Sequence, residues 1–323
     1  MSAITLNENS LHLVEQLIAD QTGLGVAAAT LPNGCTVVDA GIGSRGSLEA
    51  GRLVAEICLG GLGRVALNTA RLDGLVLPGV NVDASLPKLA CMASQYAGWA
   101  ISLKDDANAS RFFAMGSGPA RALHRGEPIF SAIRHEEPPT CAVLVLEGRK
   151  PPTQGLAAMI AKACGVAESA LRLVIAPTAS LAGSVQISAR VVETGMHKLN
   201  ELGFDLDAVV SGFGACPVAP VAGDDLTAVG RTNDAVLYGG ETWYTVDCED
   251  ADIERVIDKT PACASSDYGA LFSDLFKRCD GDFYKIDPML FSPARVNITN
   301  ARTGRTFAAG KTDSELLRRS FGL

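Results

Sequence analysis

The sequence predicts an α+β protein. Strand-like and helix-like stretches mix without the regular βαβ cadence of a doubly wound sheet. The 323 residues are enough for two compact domains and a substantial core. Hydrophobic residues make up 47% and charged residues 20%, the balance of a well-buried globular chain.

Each element follows from a local pattern. Leu11, Val14, Leu17 and Ile18 recur at helical spacing, which predicts a helix over 9–19. Asn33-Gly34 marks a turn, and the run 35–40 reads as a strand. The glycine-rich run 41–46 follows, then a helix from about 48 to 59 that Gly60-Gly61 ends. A second strand is expected at 65–67, and a strand or loop interrupted by Pro78 and Gly79 at 76–82. The segment 90–98 is helix-like. The run 112–121 reads as strand, glycine turn and helix start, with Pro119 at an early helical position. Glu136-Glu137-Pro138-Pro139 is a surface break before a strong strand at 142–146.

The run 148–153 is the best linker, which predicts mixed α+β domains at 1–150 and 151–323, with the C-terminal strands free to return to the first. Beyond it a helix is expected at 155–164 and a strand at 171–176. A loop and a helix carrying Arg190 and Glu193 come next, then strand and glycine turn at 209–214. The stretch 224–240 reads as alternating strand and turn. Helices are expected at 253–259 and 268–278, and strands joined by Thr303-Gly304 over 286–309.

Composition excludes several classes. A net charge of −8 and the lack of any Lys/Arg run argue against a nucleic-acid partner. The first nine residues are polar and lack a basic stretch, so no signal peptide is expected. No uninterrupted apolar span reaches membrane-crossing length, so no membrane partner is expected. Nine cysteines without a C-x-x-C pair read as buried free thiols in a reducing cytoplasm. The four histidines form no metal-ligand spacing, and no metal is expected.

The sequence offers two kinds of candidate chemistry. Gly41-Ile42-Gly43-Ser44-Arg45-Gly46 matches G-x-G-x-x-G between a strand and a helix, the context of a dinucleotide fingerprint. The acidic residue expected at the end of the next strand is missing, although Arg71 could serve a 2′-phosphate, so NADP stays open beside a plain tight turn. Arg190 and Glu193 lie three apart on the expected helix, close enough to share a water or a proton. A carboxylate beside a guanidinium can be held ionised and oriented, as a base for water must be. The arginine would lower its pKa and burial would raise it. The helical wheel puts Ile187, Val191, Val192, Leu199 and Leu202 on the apolar face, with Arg190, Glu193 and His197 opposite. That favours a solvent-exposed ion pair, but a cleft wall is also an exposed face. The glycine runs around Ser117 and Gly118, Phe213, and Tyr238, with Asn233 and Asp234 nearby, hint at a cleft for a flat heterocycle.

Several runs together resemble one family. They are Glu56-Ile57-Cys58-Leu59-Gly60-Gly61-Leu62-Gly63, Ala93-Ser94-Gln95-Tyr96-Ala97-Gly98-Trp99, Gly116-Ser117-Gly118-Pro119-Ala120-Arg121-Ala122, Ala189-Arg190-Val191-Val192-Glu193-Thr194, Gly230-Arg231-Thr232-Asn233-Asp234-Ala235 and Asp287-Pro288-Met289-Leu290-Phe291-Ser292-Pro293-Ala294. They cover the chain from end to end and are similar to the methenyltetrahydromethanopterin cyclohydrolases. The resemblance implies two α+β domains with an interdomain substrate pocket, a homotrimer, and the folate-like C1 carrier tetrahydromethanopterin as substrate. It places the family's catalytic arginine and glutamate on Arg190 and Glu193, and a third active-site segment on Gln95, Tyr96, Ala97 and Gly98. A methenyl bridge between two nitrogens is already electrophilic, so water attack asks for a base, an oriented water and a shaped pocket, and no cofactor. The rival readings are an NADP-dependent reductase, told apart by binding of reduced cofactor, and a non-catalytic pterin carrier, told apart by turnover.

Overall fold

The computed structural model describes residues 4–105, 110–282 and 285–323. The chain holds two six-stranded sheets, each built from strands distant in sequence, with helices packed on them. It is an α+β protein. Two compact units form, one of residues 1–63 and 89–183, the other of 64–88 and 184–323. They interleave, in contrast to a single cut near 150. The reason is strand pairing: β3 and β4 leave the first third of the chain to join the second sheet, and β8 lies beyond 150 yet completes the first.

The elements of the first unit open with α1 (Leu6–Ala19), α2 (Gln21–Leu24), β1 (Ala27–Thr30), β2 (Thr36–Asp39) and α3 (Leu48–Cys58). The second unit then takes β3 (Gly63–Leu72) and β4 (Leu75–Ala84), a pair of full strands where a short strand and an interrupted one were expected. The chain returns through a π-helix at Lys88–Gln95, β5 (Trp99–Asp105), β6 (Ser110–Ser117), α4 (Ala120–His124), β7 (Ala142–Glu147), α5 (Gln154–Cys164) and β8 (Leu171–Ile175). After α6 (Leu181–Ser188) it builds the second unit with α7 (Val191–Glu201), β9 (Val209–Pro217), α8 (Asp225–Gly239), β10 (Glu241–Val246) and α9 (Asp250–Val256). It closes with α10 (Phe272–Arg278), β11 (Arg295–Asn300), β12 (Thr306–Gly310) and α11 (Ser314–Phe321).

In the first unit the strand order is β1-β2-β8-β7-β6-β5, with β2, β8 and β7 parallel. One face buries Val14, Leu17, Val54 and Ile57 of α1 and α3 against Val38, Val145 and Val174. The other buries Leu156 and Ile160 of α5 against Val37, Leu144, Leu146 and Leu173. Strands covered on both faces read as continuous apolar runs, which is why Ala142-Val143-Leu144-Val145-Leu146 is legible as a strand.

The second sheet runs β12-β11-β10-β9-β4-β3. Val80, Val82, Tyr244, Val246, Val296 and Ile298 are buried on one face. Phe213 and Trp243 pair directly across β9 and β10 and lie on the other, 38% and 40% exposed. Two expectations change here. The strand β9 continues through Gly212 and Gly214 to Pro217, with no turn at the glycines. The stretch 225–239 is one helix, capped by Asp224, whose side chain accepts from the Thr227 amide. Its Thr, Val, Gly and Asn residues are weak helix formers, and burial of Ala235, Val236, Leu237 and Tyr238 overrides them. The C-terminal helix α11, starting at Asp313 as cap, carries no expectation from the sequence pattern.

Candidate functional site

Arg190 and Glu193 sit at a break between two helices. The expected single helix is interrupted: α6 ends at Ser188, and Arg190 is the N-cap of α7 with φ −80° and ψ 2°. The Arg190 carbonyl accepts the first α7 bond, from the Thr194 amide at 2.8 Å. Glu193 falls in the first turn, where a carboxylate meets the positive end of the helix dipole. The break resets the helical phase, so a wheel drawn through it misplaces the pair. Arg190 is only 8% exposed and Glu193 3%, in contrast to the solvent-facing ion pair the wheel favours. Arg190 Nη1 stands 3.9 Å from Glu193 Oε2, and its Nη2 donates to Gln186 Oε1 at 3.3 Å.

The second sheet holds this turn in place. Cβ atoms added at Gly212 or Gly214 would come within 2.7 Å of Val192 Cγ1 or 2.6 Å of Val191 Cγ1. Glycine at both positions therefore lets the first turn of α7 lie directly on β9. From the next strand, Tyr244 donates its hydroxyl to the Val192 carbonyl at 2.8 Å. Further along α7, Lys198 is fully buried and donates to the Met289 carbonyl, tying the 287–294 run to the same helix. Burial pushes its ammonium down to about 8. Nothing in its position on the wheel marks it out; its burial is a product of packing.

The expected pterin contacts divide between the two units. In the first, Gln95 ends the π-helix, and Ser117 Oγ donates to its carbonyl at 2.6 Å. The Gly118 amide donates to the Ser94 carbonyl at 2.8 Å. Tyr96, Ala97 and Gly98 lead from there into β5. Arg121, Glu127 and His124 surround this segment; only Arg121 stands in a run noted in the sequence, and none of the three was singled out there. In the second unit, Asp234 is buried, and its carboxylate accepts from the Phe272 amide at 3.0 Å and from Ser320 Oγ at 2.6 Å. Tyr238 donates to the Ala270 carbonyl at 2.6 Å, and Asn233 Nδ2 donates to the Val229 carbonyl at 2.9 Å. Phe213 lies on the face of its sheet opposite Gly212, Gly214 and α7.

The glycine-rich run 41–46 has an occupant of its own. The Asp39 carboxylate accepts from the amides of Gly41, Ile42, Gly43 and Ser44 at 2.9, 2.6, 2.7 and 3.0 Å. Burial pushes this carboxyl up, but the four amides outweigh it and hold it below the usual range. Those are the donors a diphosphate would need, and here one acid takes all four.

Six of the nine cysteines are buried. Burial pushes the thiols of Cys35 and Cys164 up to about 11 and about 12, which keeps them protonated and inert. Among the described residues no helix is long and apolar enough to cross a membrane.

The comparisons place the chain among hydrolases, in the class of cyclohydrolases. The cyclohydrolase (MCH) family model matches residues 5–321. The methenyltetrahydromethanopterin cyclohydrolase of Methylobacterium organophilum is 44% identical over 98% of this chain and 97% of its own. The enzyme of that name from Methanocaldococcus jannaschii is 43% identical over 99% and 98%, and that of Methanococcoides burtonii 38% identical over 99% of both. This chain belongs to the methenyltetrahydromethanopterin cyclohydrolase family.

Proposed function

We propose that this chain interconverts 5,10-methenyltetrahydromethanopterin, with water, and 5-formyltetrahydromethanopterin. Glu193 is the general base and Arg190 orients the water. The observation that carries the reading is the buried pair itself, a carboxylate and a guanidinium 3.9 Å apart on one helix start. That separation exceeds a direct hydrogen bond, so the two groups face each other as an ion pair at the helix start.

The steps balance as follows. Water oxygen bonds to the methenyl carbon, one water proton passes to Glu193, and the cationic charge on the pterin is discharged. One carbon–nitrogen bond of the adduct then breaks. The hydroxyl proton is lost as the formyl C=O forms, one proton ends on the freed nitrogen, and one is released. In reverse, Glu193 acts as an acid and assists loss of the hydroxyl oxygen. The chemistry asks for a base, an oriented water and a shaped pocket, and we assign it no cofactor.

For binding we take Gln95, Tyr96, Ala97, Gly98, Ser117 and Gly118 of the first unit as pterin contacts. The names of the relatives support the substrate, and the many buried thiols fit a reducing compartment such as the cytoplasm. The decisive test is Glu193→Gln, which keeps size and hydrogen bonding but cannot take the proton. Its rate on the methenyl pterin should fall about 10²–10⁴-fold, the usual worth of a general base, while the pterin still binds. Near-normal turnover would overturn the assignment.

A further inference from the structure

Arg121 lies fully buried in the first turn of α4, and its guanidinium is spent on the segment that leads from the π-helix into β5. Its Nη1 donates to the carbonyls of Met92 and Ser94 at 3.1 and 2.9 Å, groups that the end of the π-helix leaves open. The guanidinium carbon lies 5.2 Å from the Tyr96 ring and 5.4 Å from the Phe130 ring, within cation–π range of both. Glu127 receives Nε and Nη2 at 2.8 and 2.6 Å, a bidentate pair that neutralises the buried charge.

The same carboxylate closes on Gly98, where a Cβ would overlap Glu127 Oε2. Three residues on from Arg121, His124 stacks on Trp99 with centroids 4.0 Å apart and planes at 13°. One face of α4 therefore braces the chain from Met92 to Trp99.

We infer that Arg121, with Glu127 as its clamp, is a positioning residue that sets the backbone of Gln95, Tyr96, Ala97 and Gly98 for the pterin. This rests on the reading of that segment as a pterin contact. Arg121 touches no reacting atom, so its effect falls on substrate binding. Only the planar fork serves two carbonyls and a carboxylate at once; an ammonium keeps the charge and loses the geometry.

The test is steady-state kinetics of the full-length Arg121→Lys variant, following loss of the methenyl pterin. KM should rise by about 10-fold or more, as displaced positioning contacts do. Its kcat should stay within about threefold, because the reacting pair is untouched. A fall in kcat at unchanged KM is what a lower folded fraction gives, and would overturn the proposal. If Arg121→Lys does not fold, Glu127→Gln decides: KM rises several-fold, or the proposal fails. Combining Arg121→Lys with Gln95→Ala should raise KM less than the product of the single effects, since both act on one segment; a full product counts against it. If Glu193→Gln is inactive while Arg121→Lys has a normal KM, the functional reading stands and this inference alone falls. If the wild-type protein does not turn over the methenyl pterin, both fall.

Discussion

Replacing Arg190 by lysine separates charge from shape. The guanidinium at the α7 N-cap reaches both Gln186 and Glu193, which an ammonium on a flexible stem cannot do at fixed geometry. Arg190→Lys should therefore be a poor enzyme, down by about 10²-fold or more if water orientation is its task. Full activity in a turnover assay would reduce its role to that of a point charge. Asp234 gives a second prediction at this scale. Burial raises its carboxyl from 3.8 to about 7, against the bonds from Ser320 and Phe272. The folded state thus holds the proton more tightly than the unfolded one. The stability this contributes is present below about 4 and is lost as pH rises towards about 7. Asp234→Asn removes the titration, so the Tm of the wild type relative to the variant should drop by a few degrees between pH 4 and 8. A constant difference across that range would show that folding does not shift the Asp234 carboxyl. Of this residue-level picture, the Arg190/Glu193 spacing is legible in the sequence. Their burial is not, because it depends on the phase break at Ala189-Arg190 and on what packs around it.

The helix α7 begins at the proposed reacting pair, and its seat is a matter of two missing side chains. Gly214→Ala would place a methyl 2.6 Å from Val191 Cγ1 and 2.9 Å from Val192 Cγ2. Overpacking of this kind costs about 1–3 kcal/mol. It should also lift the first turn of α7 and lower turnover more than the stability loss explains. Val191→Ala in the same chain should recover part of both, as measured by denaturant unfolding and by rate. No recovery would mean that α7 is not seated through this contact. The two glycines read as a turn in the sequence because glycine ends strands more often than it lies under a helix. Likewise α8 reads as strand and turn because its weak helix formers are outvoted by burial, which no local window contains.

At the scale of the whole molecule, the family resemblance implies three copies. Phe213 and Trp243 stand exposed on one sheet face of the second unit, and apolar surface of that kind is available for burial. Light scattering should give about three times the 33.6 kDa chain mass at low micromolar concentration, in low and high salt alike. A concentration-independent monomer would show that this chain does not assemble as expected, without touching the role of Glu193.

The sequence by itself determined the fold class, the helices α1, α3 and α5, the buried strands β7 and β8, and the family, because these are written in local periodicity and in runs of identity along the chain. Tertiary structure alone decided the rest. It sent β3 and β4 to the second sheet and β8 to the first, which no local pattern encodes because strand partners are chosen across long stretches of chain. It filled the 41–46 turn with the Asp39 carboxylate, where the motif alone left room for a diphosphate. And it buried Arg190 and Glu193 together, since exposure depends on what packs against a residue and not on its place along a helix.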